Sequence, residues 1–233
     1  MHSFKILKKI TPYLFIIITI GSTLKSEQGQ YILWNETEIN KLLHPNEDSS
    51  KGVYVFTNTG RIPLRINEAY SASNAIKTTI KNRIVAPGET GIIEVLFLAE
   101  KKSPGIHHNK IKVFIKGNDS SIATLHFIVT IPKLINLVPN SITWGQENIN
   151  EKFTVNINLN PLFLDSLTGL EYNSSLYDLT LKTQNEATGE YLLTIEPIKQ
   201  NRPFSSLIKV SARGSQINTA AEYIYLFNSS ILN

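Results

Sequence analysis

Histidine offers this chain its most versatile chemistry, because an imidazole can act as a general base or as a metal ligand. Two histidines are adjacent, His107 and His108. Neighbouring residues on a strand point to opposite faces, so this pair is not expected to chelate one ion, and a solvated loop is favoured. His44 falls in a polar loop, and His126 falls at a solvent-facing position of a strand. We predict no metal site from these residues.

Other combinations that would carry catalysis are missing from the sequence. There is no cysteine, which excludes disulfides, thiolate nucleophiles and zinc sites built on thiolates. Serines cluster in polar segments such as Ser49-Ser50 and Ser120-Ser121, and none lies in a Gly-x-Ser-x-Gly sequence. The glycines stand singly, so no phosphate-binding loop or dinucleotide fingerprint occurs. We therefore predict a protein that is not an enzyme and has no catalytic, cofactor-binding or metal-binding residues.

The net charge of +4 is concentrated at the start of the chain. Lys5, Lys8, Lys9 and Lys25 lie in the first 26 residues, which contain no acidic residue. The remainder holds 19 basic and 19 acidic residues and is neutral. A neutral body of this kind gives no reason to expect nucleic-acid binding.

Residues 1–26 have the pattern of a secretory signal peptide. The basic start is followed by an apolar run from Leu14 to Ile20, extended by a few small residues. This run is about half of the roughly 20 apolar residues that a spanning helix needs. We predict a signal helix, no membrane span in the mature chain, and a periplasmic or secreted protein. An uncleaved anchor and a buried N-terminal helix are the alternatives.

The rest of the chain has a β pattern. Short segments rich in Ile, Val, Thr, Phe and Tyr alternate with turn residues, and about seven of them fit into the first 100 residues after the leader. This spacing is typical of an antiparallel sandwich. The clearest segments are 53–57, 64–66, 92–97, 111–116 and 122–131.

The second half repeats this plan. The segment 111–117 matches 208–214, and each is followed by a polar loop and a final apolar strand. Leu33-Trp34 is matched to Thr143-Trp144, with both tryptophans expected in a core. We predict an all-β protein of two tandem immunoglobulin-like antiparallel β-sandwich domains, at residues 27–132 and 133–233, after the signal helix.

Five residues of the first half are assigned to turns that fix strand register. Asn58 and Gly60 suit a turn with positive φ. Pro63 suits a strand start, where no amide donor is needed. Pro87 and Gly88 fit the central positions of a type II turn. We expect these roles to be structural and not ligand-binding.

Two stretches, 56–66 and 84–97, follow the patterns F-x-N-x-G-x-x-P-L-x-I and I-x-x-P-G-x-x-G-x-I-x-V-x-F. Here the chain resembles a bacterial family of exported Ig-like domains, the domain of unknown function fifteen-seventy-three, which is similar to the major-sperm-protein and PapD-like sandwiches. Coverage is roughly residues 33–131. Many family members carry Ser-Cys-Gly-Cys where this chain has 70–75 without cysteine, so no metal or redox role carries over from that pair.

These observations favour a non-enzymatic, exported binding or assembly module of the bacterial envelope. A sandwich has edge strands, which can take up a partner's strand by main-chain hydrogen bonds, so an envelope protein is the expected partner. Two alternatives stay open. One is a structural spacer domain pair. The other is a pilus-type periplasmic chaperone, for which Arg61, Arg65 and Lys112 are the candidate basic anchors.

Overall fold

A computed structural model describes residues 23–25, 31–100, 102–145, 151–198 and 203–228. These residues form 18 strands and no helix, which confirms the all-β prediction. The predicted signal helix lies outside the described residues, with the exception of Thr23–Lys25, which form a short strand.

The first ten strands form two five-stranded sheets. Sheet 1 has the order β1-β2-β4-β8-β6, and sheet 2 has the order β3-β10-β9-β5-β7. Their bounds are β1 Thr23–Lys25, β2 Tyr31–Trp34, β3 Glu38–Leu42, β4 Ser49–Asn58, β5 Leu64–Tyr70, β6 Ile76–Ile80, β7 Ile84–Val85, β8 Thr90–Leu98, β9 Gly105–Ile115 and β10 Ala123–Ile131.

The other eight strands form two four-stranded sheets. Sheet 3 has the order β11-β13-β16-β15, and sheet 4 has the order β12-β18-β17-β14. One pair, β12 with β18, is parallel. Their bounds are β11 Ile135–Val138, β12 Ser141–Trp144, β13 Phe153–Leu159, β14 Ser166–Glu171, β15 Tyr177–Asn185, β16 Glu190–Pro197, β17 Phe204–Gly214 and β18 Ile217–Asn228.

Sheets 1 and 2 share one core. Alternation along the strands buries every second residue, as in a half-buried strand. Gly52 of β4 leaves room for the Phe127 ring of β10, because a Cβ at Gly52 would lie 2.9 Å from that ring. Large side chains from both sheets are fully buried, among them Trp34, Tyr54, Phe56, Ile66, Ile111 and Leu125.

Tyr54 ties the two sheets of this core together. Its hydroxyl donates to the carbonyl oxygen of His126 at 2.6 Å, and the residue is completely buried. Burial raises the pKa of Tyr54 above its usual range, and the nearby charges of Glu36 and Glu38 add to the effect. The hydroxyl therefore stays protonated, and keeps its hydrogen bond, at a pH where an unfolded tyrosine ionises.

This raised pKa predicts a loss of stability in alkali. Ionisation of Tyr54 above about pH 10 lowers the free energy of the unfolded chain but not that of the folded chain. Stability is therefore fully present below that pH and falls above it. In urea titrations between about pH 9 and about pH 11, Tyr54→Phe should flatten the decline. Tyr70→Phe removes a half-exposed tyrosine and should leave the decline unchanged; equal slopes for the two variants would contradict the prediction.

Sheets 3 and 4 enclose a second core. It combines residues of sheet 3, such as Val155 and Leu193, with residues of sheet 4, such as Ile208 and Ile224. Trp144 lies at its centre with no exposure and donates its indole N–H to the Glu151 carbonyl oxygen at 3.0 Å. The four sheets thus make two sandwiches, as the repeat predicts.

The strand orders show which parts of the two sandwiches correspond. Apart from β1, the first strand of each sandwich (β2 or β11) lies in one sheet, and the next strand (β3 or β12) lies beside the last strand in the other sheet. β9 and β17 occupy equivalent positions, which confirms the match of 111–117 with 208–214. The match of Trp34 with Trp144 is wrong, because Trp34 lies in β2 and Trp144 in β12, and β12 corresponds to β3. Both indoles are nevertheless buried, as expected for core residues.

The chain passes from the first sandwich to the second between Ile131, where β10 ends, and Ile135, where β11 begins. By compactness the described chain also divides into two units. One draws on residues up to Lys41, Ser49–Leu98 and His108–Val129, and the other on Leu42–Asp48, Ala99–His107 and the residues from Thr130 onward. The segments 42–48 and 99–107, which hold two loops of the first sandwich, the last residue of β3 and the first three residues of β9, thus group with the second unit.

Candidate functional site

Asn58 is the centre of the turn residues singled out in the sequence. It ends β4 and is 1% exposed. Its amide nitrogen donates to the carbonyl oxygens of Ile62 at 2.8 Å and Val85 at 2.9 Å, and its side-chain oxygen accepts from the Gly60 N–H at 3.0 Å. One buried side chain therefore holds the turn after β4 against strand β7.

Pro87 and Gly88 form the neighbouring turn. The Glu89 N–H donates to the Ala86 carbonyl oxygen at 3.0 Å, and Gly88 has a φ of +82°. These are the features of the expected type II turn. The Gly88 N–H also donates to the Asn58 carbonyl oxygen at 2.7 Å, which joins the two turns.

Gly60 and Pro63 contribute in other ways. Gly60 is not among the described glycines with positive φ, so the positive φ predicted there is wrong, and its N–H serves as a donor to Asn58. Pro63 is exposed and directly precedes β5, the strand-start position expected for it. Each of these five residues takes part in a turn or borders a strand, and their geometry is that of a structural network.

The histidines are dispersed. His107 and His108 lie inside β9, so the loop predicted for them is wrong, although their side chains do face opposite sides of the strand. The ring of His107 contacts the Ser103 carbonyl oxygen at 2.9 Å. His126 faces outward on β10, as predicted, and His44 is exposed with its ring edge-on to Phe163. In the part of the chain that is described, no group of His, Asp and Glu residues is arranged to hold a metal ion.

Glu94 carries the best-defined ion pairs of the first sandwich. Its carboxylate contacts the ammonium groups of Lys51 at 2.9 Å and Lys81 at 3.0 Å. Hydrogen bonds from these two lysines hold the pKa of Glu94 below its usual range. Both lysines are half-exposed, so the cluster resembles an ordinary surface network of small energetic weight.

Strand β2 has an unusual edge. On one side it pairs with β4, and on the other it pairs with the three residues of β1, in the register Thr23 with Leu33 and Lys25 with Tyr31. The Asn35 N–H donates to the Val55 carbonyl oxygen. Because bonding direction alternates along a strand, the main-chain groups of Ile32 face Leu24 of β1, and those of Trp34 point to the same side, beyond the three residues of β1.

The composition of this edge is also distinctive. The sequence of β2 is Tyr-Ile-Leu-Trp and carries no charge, whereas edge strand β3 contains Glu38 and Lys41 and edge strand β6 contains Lys77. Charged side chains on an edge discourage pairing with other chains. Strand β2, at the edge that β1 covers, carries no charged side chain of this kind.

A second exposed feature lies on sheet 4. Seven outward-facing residues of β12, β17 and β18 form what we call the outer face of sheet 4. Leu207, Tyr225 and Phe227 are 43–46% exposed, and Leu207 lies directly opposite Tyr225. The complete set is Ser141, Thr143, Ser205, Leu207, Tyr223, Tyr225 and Phe227.

The sequence analysis missed this face, although it contained a signal. In β18 the residues 223–227 read Tyr-Ile-Tyr-Leu-Phe, so both faces of the strand are apolar. A strand of a two-sheet sandwich normally has one polar face. Ile224 and Leu226 point inward and are buried in the core, and the apolar residues on the opposite side of the strand belong to the outer face of sheet 4.

Comparison with known families bears on the first sandwich. Residues 32–131 match the family model described as "Protein of unknown function (DUF1573)". The first sandwich matches DUF1573. The matched range begins on β2 and ends with β10, which confirms the family resemblance seen in the sequence. The β1 segment and the second sandwich lie outside it.

The solved structures that match this chain share little sequence with it, and their TM-scores are low. A protein of unknown function from Porphyromonas gingivalis W83 has 12% identity and a TM-score of 0.34, over 84% of this chain and 98% of that chain. The YadV chaperone has 9% identity and a TM-score of 0.33, over 82% and 98%. The polymeric Ig receptor ectodomain of a teleost fish has 9% identity and a TM-score of 0.31, over 85% and 98%. No curated protein matches the chain.

Within the DUF1573 match, the three candidate basic anchors are exposed and separated. Arg65 lies near the start of β5, where its carbonyl oxygen accepts from the Lys116 N–H. Lys112 lies opposite Tyr70, at the other end of that strand, and Arg61 precedes the strand in the turn. The structure therefore does not bring them together. Across the described ranges there is also no helix of the length and apolarity that a membrane crossing requires.

Proposed function

We propose that this chain is an exported, non-enzymatic binding or assembly module of the bacterial envelope. It engages an envelope protein by adding an extended segment of that protein to the β2 edge of sheet 1. In this mode main-chain hydrogen bonds supply the affinity, and side chains of the added strand supply the selectivity.

The pairing of β1 with β2 is the observation that carries the proposal. Residues 23–25 belong to the segment that we predict to be removed with the leader, so the mature chain lacks β1. The main-chain groups of Ile32, which lie opposite Leu24, then have no strand beside them. Because β1 pairs there in antiparallel register, the backbone at this edge has a geometry that accepts another strand.

The absence of cysteine allows a direct test by site-specific crosslinking. A single cysteine at Asn35, an exposed residue next to β2, would carry a photoactivatable crosslinker in the native host. We expect one recurring envelope protein in the crosslinked material. Thr79→Cys is the matched control, because Thr79 is exposed on β6, at the opposite edge of the same sheet.

Hydrogen exchange supplies the second measurement. On the purified mature chain, the amide of Ile32, which lies opposite Leu24, should exchange faster than in the chain that keeps residues 23–25, and the captured protein should slow it again. Equal capture at positions 35 and 79 would favour the structural spacer. The chaperone would be favoured if Arg65→Ala and Lys112→Ala abolished capture and the captured protein did not contact the β2 edge. Recovery of the protein in the cytosol would reject export itself.

A further inference from the structure

We propose that the outer face of sheet 4 binds an uncharged oligosaccharide. This inference goes beyond the proposed function, since it concerns the second sandwich, a different ligand class and a different kind of contact. It rests on the rings, the hydroxyl groups, the charge and the size of this face.

The rings form a row along one strand. Tyr223, Tyr225 and Phe227 are two residues apart on β18, so their side chains emerge from the same side at intervals of about 6.6 Å. Leu207 extends the apolar surface sideways, because it lies opposite Tyr225 on β17. Aromatic rings in such a row can pack against the apolar C–H faces of consecutive sugar rings.

Hydroxyl groups border the row on both sides. Ser205 lies opposite Phe227 on β17, while Ser141 and Thr143 lie opposite Tyr225 and Phe227 on β12. All three are exposed. Sugar hydroxyl groups need donors and acceptors at the edge of a stacking surface, and side-chain hydroxyls provide both.

The charge of the face points to a neutral ligand. None of its seven residues is charged, and Lys209, which lies opposite Tyr223 on the same side of the sheet, is paired with Glu171 at 2.7 Å. The Glu171 carboxylate raises the pKa of Lys209, so the ammonium group remains charged within that pair. An acidic or basic ligand would therefore find no unpaired opposite charge in the face itself.

The size of the face argues against a second copy of the chain or a folded partner. A stable protein interface commonly takes about 20–30 residues and about 800 Å² on each side. Seven residues on three strands provide only a fraction of this. A linear oligosaccharide of a few sugars needs no more than the row of rings and its border.

The test uses the purified full chain and isothermal titration with cellohexaose, laminarihexaose and chitohexaose, with a polygalacturonate hexamer as the charged comparison. We expect at least one neutral hexasaccharide to bind and the charged one not to. Tyr225→Ala and Leu207→Ser should each weaken that binding by about tenfold. Tyr70→Ala is the matched control, because Tyr70 is 50% exposed and lies on the first sandwich.

Circular dichroism melting of each variant separates lost binding from lost folding, and both substitutions are at exposed positions. Failure of all three neutral hexasaccharides to bind at millimolar concentration would overturn the proposal. So would equal weakening by Tyr70→Ala. A dimer in light scattering that Tyr225→Ala dissociates would instead make this face an interface between copies. None of these results affects the β2 crosslinking test, so the two proposals fail independently.

Discussion

Replacement of Gly214 by alanine is expected to destabilise the second sandwich by about 3 kcal/mol or more. A Cβ at this position would lie 1.9 Å from the Phe163 carbonyl oxygen and 3.0 Å from the Leu164 Cα. Both are backbone atoms, so no rotamer change can relieve the overlap. The segment is also held in place, because the Asp165 N–H donates to the Arg213 carbonyl oxygen at 2.8 Å and Phe163 and Leu164 are buried in the core.

Gly169→Ala provides the matched control. Gly169 lies on β14 of the same sheet, and a Cβ there would meet no atom within 4 Å. Since glycine inside a strand costs roughly 0.5–1 kcal/mol relative to alanine, this variant should be neutral or slightly more stable. Urea denaturation followed by circular dichroism measures both. A Gly214→Ala midpoint equal to that of the wild type would show that the 163–164 backbone can move.

The strands themselves could be predicted from local pattern. In β9 the apolar residues Ile111, Val113 and Ile115 are buried, and Lys112 between them is exposed. Such alternation depends only on the two-residue period of a strand with one buried face. The type II turn at Pro87-Gly88 was predictable for the same reason, since both residues act on their own backbone.

Relations between distant segments were not predictable in this way. Nothing local indicates that Gly214 lies against the Phe163 carbonyl group, or that residues 23–25 pair with β2. The match of Trp34 with Trp144 failed because it rested on each tryptophan lying near the start of its half, and strand order decides which sheet each segment joins. His107 and His108 were misplaced because a solvated loop was expected there, whereas β9 already begins at Gly105.

The two candidate surfaces differ in how much of each could be predicted from the sequence. An edge-strand partner could be predicted as a class, because every open sheet has edges. The choice of β2 needed its pairing with β1 and the comparison with the charged edges β3 and β6. The outer face of sheet 4 needed the cross-strand register, because Leu207 and Tyr225 become neighbours only when β17 and β18 pair.

Replacement of Asn58 by alanine is expected to cost the first sandwich about 2–3 kcal/mol. The side chain donates to two carbonyl oxygens and accepts from one N–H. Alanine leaves these three groups without a hydrogen-bond partner from residue 58. The Val85 carbonyl belongs to a residue that is 1% exposed, so water cannot readily replace the amide there. Asn58→Asp should be no better, since a carboxylate cannot donate to the Ile62 and Val85 oxygens.

The control is Asn118→Ala, which removes the same type of side-chain hydrogen bond from an exposed turn. The Asn118 side-chain oxygen accepts from the Ser120 N–H at 3.0 Å in an exposed loop, where water can take its place. Asn118→Ala should lower the free energy of unfolding by no more than about 0.5 kcal/mol. Thermal and urea unfolding of the two variants give the comparison. If Asn58→Ala proved as mild as Asn118→Ala, the two turns would be held by their backbone bonds alone.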